Sequence, residues 1–80
     1  MTLEQLQKID NKFNCNTCSL IFQGGDEAEK WKAIVRLQNS LGQFECLIYL
    51  DKLSNILGGK SHAYATIDDR LQALYEISTL

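Results

Sequence analysis

The chain has 80 residues, a formal net charge of −2, 45% apolar residues and 22% charged residues. This length predicts a single small domain over residues 1–80, and the recurring apolar residues indicate a globular chain and exclude a disordered one. The longest apolar run, Cys46 to Leu50, is too short to cross a bilayer, and the first residues lack a secretory signal, so we expect a cytoplasmic protein without a membrane partner.

The first predicted element is a helix from Thr2 to about Phe13. Thr2 and Gln5 have the spacing of a capping box, and apolar residues recur at helical intervals through the segment. The stretch Ser19–Gln23 is short, apolar and rich in residues that favour strands, so it predicts a strand. Gly24 and its neighbours then predict a turn.

The next segment, Trp31–Leu37, predicts the central strand of a small sheet. Trp31, Ala33, Val35 and Leu37 fall on one side of an extended chain, and Lys32 and Arg36 fall on the other, with Ile34 between them. A period of two is typical of a strand with one buried face. Because the segment holds the single tryptophan of the chain, we expect the indole ring in the core.

The segment Phe44–Leu50 fits either a strand or a helix from its apolar spacing alone. Its aromatic and β-branched content and the preceding turn favour a strand. Asp51–Leu57 predicts one or two helical turns that end at Gly58. Lys60–Ala65 then predicts a short fourth strand.

The last predicted helix begins after Thr66, with Asp68 and Asp69 in the first turn, where the helix dipole stabilises negative charge. The element order is therefore α-β-β-β-(β)-α. This order predicts an α+β, two-layer domain, in which an antiparallel sheet of three to four strands carries the N-terminal and C-terminal helices on one face.

Four residues form the strongest candidate for a metal site. Cys15 and Cys18 have the C-x-x-C spacing that suits tetrahedral zinc, and Cys46 and His62 could complete a set of four ligands. The last two are isolated and far apart in sequence, so reduced cysteines without a metal are our main interpretation. We therefore expect no cofactor, with a zinc-stabilised domain as the alternative.

The chain offers little for catalysis. His62 is the only histidine, and its neighbour Ser61 would point to the opposite face of a strand. No nucleophile elbow, zinc-protease motif or phosphate-binding glycine loop is present. We therefore expect a protein that is not an enzyme.

The predicted element order resembles that of double-stranded RNA-binding domains. That resemblance implies a lysine cluster at the start of the last helix, which contacts phosphates, whereas this chain has Asp68 and Asp69 there. With only eight lysines and arginines in the chain, these acids weigh against nucleic acid as a partner. A nucleic-acid-binding alternative would depend on Lys30, Lys32, Arg36 and Lys60.

These exclusions leave a small protein–protein interaction module that acts through an acidic and apolar surface. Its partner would be another protein, or a second copy of the chain, and its role that of a regulator or inhibitor of the kind that phages and mobile elements encode. The predicted partner-binding residues are three acids in a loop and three apolar residues on the exposed side of the strands: Asp26, Glu27, Glu29, Ile34, Leu47 and Tyr49.

Overall fold

The computed structural model describes residues 1–80 and contains helices only. Its elements are α1 (Leu3–Phe13), α2 (Thr17–Ile21), α3 (Glu27–Asn39), α4 (Gln43–Leu57), a 3₁₀ helix (His62–Tyr64) and α5 (Ile67–Ser78). Helices include 74% of the residues and no strand is present. The predicted α+β fold with a three- to four-stranded sheet is therefore wrong, and the protein is a small helical bundle.

The first and last predicted helices are confirmed, and the same local signals explain both. Thr2 accepts a hydrogen bond from the N–H of Gln5, whose side chain accepts one from the N–H of Thr2. Thr66 and Asp69 form the same reciprocal pair at the start of α5. A capping box satisfies two backbone donors that the first helical turn would otherwise leave without partners.

The predicted central strand is wrong, because Trp31–Leu37 lies inside α3. Ala33, Ile34 and Leu37 are buried at helical spacing, whereas Trp31 is 38% exposed and Val35 is 47% exposed. The alternation of apolar residues therefore does not describe the buried face. Asp26 starts this helix, since its side chain accepts a hydrogen bond of 2.8 Å from the N–H of Glu29.

The other three predicted strands are also helical, at least in part. Ser19–Gln23 overlaps α2, Phe44–Leu50 lies within α4, and Lys60–Ala65 contains the 3₁₀ helix. The strand preference of aromatic and β-branched residues depends on pairing with a neighbouring strand, and none is available here. The predicted stop at Gly58 is confirmed, because this residue ends α4 with a φ of 65°, in the left-handed region.

The centre of the bundle is α5, which packs against α1, α3 and α4. Four buried residues of α5, Leu71, Ala73, Leu74 and Ile77, belong to a single core. The core is completed by Ala65, which follows the 3₁₀ helix, and by residues of the other α-helices: Leu6, Ile9, Cys18, Ile34, Leu37, Tyr49 and Leu53. No helix combines the length and the apolar character that crossing a bilayer would need.

Candidate interaction surface

The predicted partner-binding residues do not form one surface. Ile34 is 0% exposed and Tyr49 is 2% exposed, so both belong to the core. The prediction that these two side chains face solvent is wrong, because it assumed strands whose alternate residues point outward. Leu47 lies on α4 and is 63% exposed.

The three acidic residues lie together at the start of α3. Asp26 is the residue that caps the helix, and Glu27 and Glu29 lie in its first turn. All three side chains are exposed. Negative charge at this end of a helix is stabilised by the helix dipole, which gives these acids a structural role whether or not they also bind a partner.

The most prominent apolar surface is a row of three side chains on α4, which we call the α4 stripe. It consists of Phe44, Leu47 and Leu50, which are 75%, 63% and 37% exposed. Their spacing of three residues places them along one side of the helix. The opposite side of α4 is covered, since Tyr49 and Leu53 are buried there. Single exposed apolar residues are common on proteins, but a continuous row of large ones is typical of a binding surface.

The charges near the α4 stripe are few. Asp51 is exposed and follows Leu47 by one helical turn, so its carboxylate lies beside the stripe. Glu45 is already paired, because its carboxylate forms a salt bridge with Lys12 of α1. A partner would therefore meet an apolar row with one unpaired negative charge at its side.

The four residues of the predicted zinc site do not come together. The structure contains no group of three or more histidine, cysteine or acidic side chains that could hold a metal ion. Cys18 is fully buried, and burial, together with the carboxylate of Asp10, raises the pKa of its thiol well above the usual value. The C-x-x-C segment instead leads into α2, where Cys18 packs in the core.

His62 contacts a hydroxyl group, although not that of Ser61. Its Nε2 lies 2.8 Å from the Oγ of Ser54 on α4. A nucleophilic serine would also need a carboxylate that orients the imidazole, and no side chain bonds the other ring nitrogen of His62. Neither residue lines a pocket in which a substrate could bind. The contact joins α4 to the 3₁₀ helix.

A network around Arg70 holds Trp31 in place at the surface. The guanidinium of Arg70 lies 5.4 Å from the centre of the Trp31 ring, within the range of a cation–π interaction. The same guanidinium donates hydrogen bonds to the side chain of Gln38, at 3.0 Å, and to the carbonyl of His62, at 2.9 Å. Arg70 thereby joins α3, α5 and the 3₁₀ helix, and it fixes one side of the indole.

A crevice of about 310 Å³ lies where the N-terminal ends of α1, α3 and α5 meet. Its walls include Leu6, Phe22 and Leu71, and its polar residues include Glu27 and Lys30. No histidine, cysteine or serine lines it. Thr66 supplies the one hydroxyl group in its walls, and that hydroxyl already caps α5 by accepting a hydrogen bond from the N–H of Asp69. We therefore regard the α4 stripe as the better candidate site.

Sequence reasoning identified Leu47 but missed Phe44 and Leu50 as parts of the same surface. The helical reading of Phe44–Leu50 would have revealed them, because it places apolar residues on both sides of α4. A helix with apolar residues on two sides exposes one of them unless it lies at the centre of a core. Comparison of the chain with protein-family models, curated proteins and solved structures found no match.

Proposed function

We propose that this protein is a small, non-enzymatic binding module that docks onto another protein through the α4 stripe. The observation that supports the proposal is the exposure of Phe44 and Leu47, at 75% and 63%, in a row with Leu50 on one helix. Burying such side chains against a partner is favourable by about 25 cal/mol for each Å² of apolar surface removed from water.

The shape and charge of the stripe define the kind of partner. A straight row of side chains on one helix fits the apolar face of another helix, whose own anchors repeat every three or four residues. Asp51 beside the row favours a partner that carries a lysine or arginine next to its apolar face. We therefore propose an amphipathic helix with a basic flank as the bound element, consistent with a role as a regulator or inhibitor.

The test begins with the selection of binders from a displayed library of randomised amphipathic helices. The affinity of the selected helices is then measured for the unchanged protein and for the variant Leu47→Glu. Leu47 is exposed and glutamate is a good helix former, so the variant should fold. We expect its binding to weaken more than about 30-fold, because losing a central apolar anchor costs about 2 kcal/mol or more.

Leu20→Glu is the matched control, since Leu20 is also a leucine, is 68% exposed and lies on α2, outside the stripe. The control should bind as the unchanged protein does. Equal losses in the two variants would indicate nonspecific adhesion, and an unaffected Leu47→Glu would exclude the stripe. Binding to the native-host lysate that disappears after nuclease treatment would favour nucleic acid over protein.

A further inference from the structure

The exposed side of α3 combines apolar and charged residues in an ordered way. Trp31 and Val35 are 38% and 47% exposed near the middle of the helix. Glu29 lies before them, in the first turn, and Arg36 lies after them, in the last turn. The N-terminal part of this face is therefore acidic and its C-terminal part is basic, and its middle carries the two apolar side chains together with the exposed Lys32.

We propose that α3 pairs with α3 of a second copy of the chain, in antiparallel orientation about a two-fold axis. Antiparallel pairing places the acidic part of each helix opposite the basic part of the other, whereas parallel pairing would place like charges together. The proposal goes beyond the binding of another protein, because it uses α3 and leaves the α4 stripe free.

One register satisfies both the charges and the apolar residues. Glu29 and Arg36 are seven residues apart, two helical turns, so they lie on the same side of the exposed face. With the two-fold axis between residues 32 and 33, Glu29 of one copy is level with Arg36 of the other, and the symmetry makes this pair twice.

The same register brings the apolar residues together. Trp31 of one copy and Val35 of the other lie level to within about 1.5 Å along the helix axis, the rise of one residue. Trp31 and Val35 lie toward one edge of the exposed face, and Glu29 and Arg36 lie toward the other. In a two-fold antiparallel pair, each edge of one helix lies beside the same edge of its partner, so the apolar residues meet apolar residues. Because the contact with Arg70 already restricts the indole of Trp31, pairing costs less conformational entropy at this side chain than it would for a free one.

The charges of this face have no partners within the chain. The structure contains one salt bridge, between Lys12 and Glu45, so Glu29 and Arg36 are both unpaired. Lys32 and Arg36 lie four residues apart, where like charges repel on a helix. Negative charge from a second copy relieves this repulsion.

The contact is small, because 13 residues of α3 extend over about 20 Å. Interfaces of this size lie at the lower end of those that form stable complexes. We therefore expect a weak dimer, present at high micromolar concentration and low ionic strength, which dissociates as salt screens the ion pairs.

Charge reversal tests the register, with sedimentation equilibrium as the measurement. Glu29→Lys and Arg36→Glu each convert both ion pairs into repulsions, so we expect each variant alone to dimerise about tenfold or more weakly than the unchanged chain. A mixture of the two restores both ion pairs in a heterodimer. We expect this mixture, and the double variant alone, to recover most of the lost dimer.

Glu4→Lys and Lys60→Glu are the matched controls, since both residues are exposed and lie outside α3. They should leave dimerisation unchanged, and circular dichroism of all variants shows that the helices persist. A monomer at every concentration, or a mixture that fails to associate while its components stay folded, would overturn the proposal.

Lys32 separates self-pairing from the binding of an acidic partner or a nucleic acid. In the proposed register the two copies of Lys32 lie beside the two-fold axis and repel each other. We expect Lys32→Gln to strengthen the dimer by about two- to fivefold. Weaker self-association in this variant would contradict the register. Tight binding of an acidic peptide or single-stranded DNA by α3, lost in Lys32→Gln, would replace the second copy as its occupant.

Discussion

Asp10 is the residue whose role is most fully explained by its contacts. Its side chain is buried, with 4% exposure, and both of its carboxylate oxygens accept hydrogen bonds. The N–H of Cys18 donates to one oxygen at 2.8 Å, and the N–H and hydroxyl of Ser19 donate to the other at 2.9 and 2.7 Å. Burial alone would raise the pKa of Asp10, but these donors outweigh it and hold the pKa below the usual 3.8. A side chain of α1 thus accepts hydrogen bonds from backbone N–H groups in the first turn of α2, which have no partners within that helix.

We predict that Asp10→Asn lowers the free energy of unfolding at pH 7 by about 2 kcal/mol, because an amide would direct its own N–H groups at these donors. The hydrogen bonds that lower the pKa of Asp10 stabilise the folded chain above pH 3.8, where the carboxylate is ionised. This stabilisation is lost as the pH falls through the folded-state pKa and the carboxylate is protonated. Urea unfolding should therefore show the difference between the two proteins shrinking below about pH 4. Asp51→Asn, at an exposed position, is the control, and a difference that is independent of pH would contradict this account.

At the scale of elements, the connection between α2 and α3 depends on one of its two glycines. The N–H of Gly25 donates to the carbonyl of Ile21, so the backbone folds closely over the end of α2. A Cβ atom at Gly25 would lie 2.7 Å from that carbonyl oxygen and 2.9 Å from the Ile21 side chain. A Cβ atom at Gly24 would meet nothing within 4 Å. Of the two glycines in the turn predicted from sequence, only Gly25 therefore lies where a side chain would clash.

We predict that Gly25→Ala lowers the free energy of unfolding by about 1–3 kcal/mol, since the added methyl group forces α2 and the loop apart. Gly24→Ala is the matched control in the same turn. It should be neutral or slightly stabilising, because it only restricts the unfolded chain. Thermal melts of the two variants measure the contrast, and equal melting temperatures would show that the loop relaxes around either methyl group.

At the scale of the whole molecule, α5 organises the fold. It contacts α1, α3 and α4, and Leu71, Leu74 and Ile77 give the other helices a common apolar surface. The short helix α2 has only five residues and would not persist alone in water. The stability of such a helix comes from packing and from the carboxylate of Asp10, so the bundle should unfold as a unit.

We predict a far-ultraviolet circular dichroism spectrum of an α-helical protein, with a helix content near 74% and no strand component. We also expect the helical signal and the fluorescence of Trp31 to be lost in one transition, since α3 packs directly on α5. A spectrum dominated by strands would restore the fold predicted from sequence. Separate transitions would show that α3 detaches before the rest of the bundle.

Local sequence by itself determined the features that depend on neighbouring residues. The capping box at Thr2 identified α1, the cap at Thr66 with acids in the first turn identified α5, and Gly58 marked the end of α4, because each acts within one helical turn. Asp26, followed three residues later by Glu29, carried a comparable signal for the start of α3. The period of two in Trp31–Leu37 outweighed this signal and favoured a strand.

Only the tertiary structure decided which apolar residues are buried. Ala33 and Leu37 fit one face of a strand or of a helix equally well. The packing of α3 against α2 and α5 decided between them, since Ile34 and Leu37 are buried in the bundle and Val35 is exposed. The same packing exposes Phe44 and Leu47 while it buries Tyr49 and Leu53. Periodicity shows which residues share a face, but burial of that face requires a partner element, whose position depends on the whole chain.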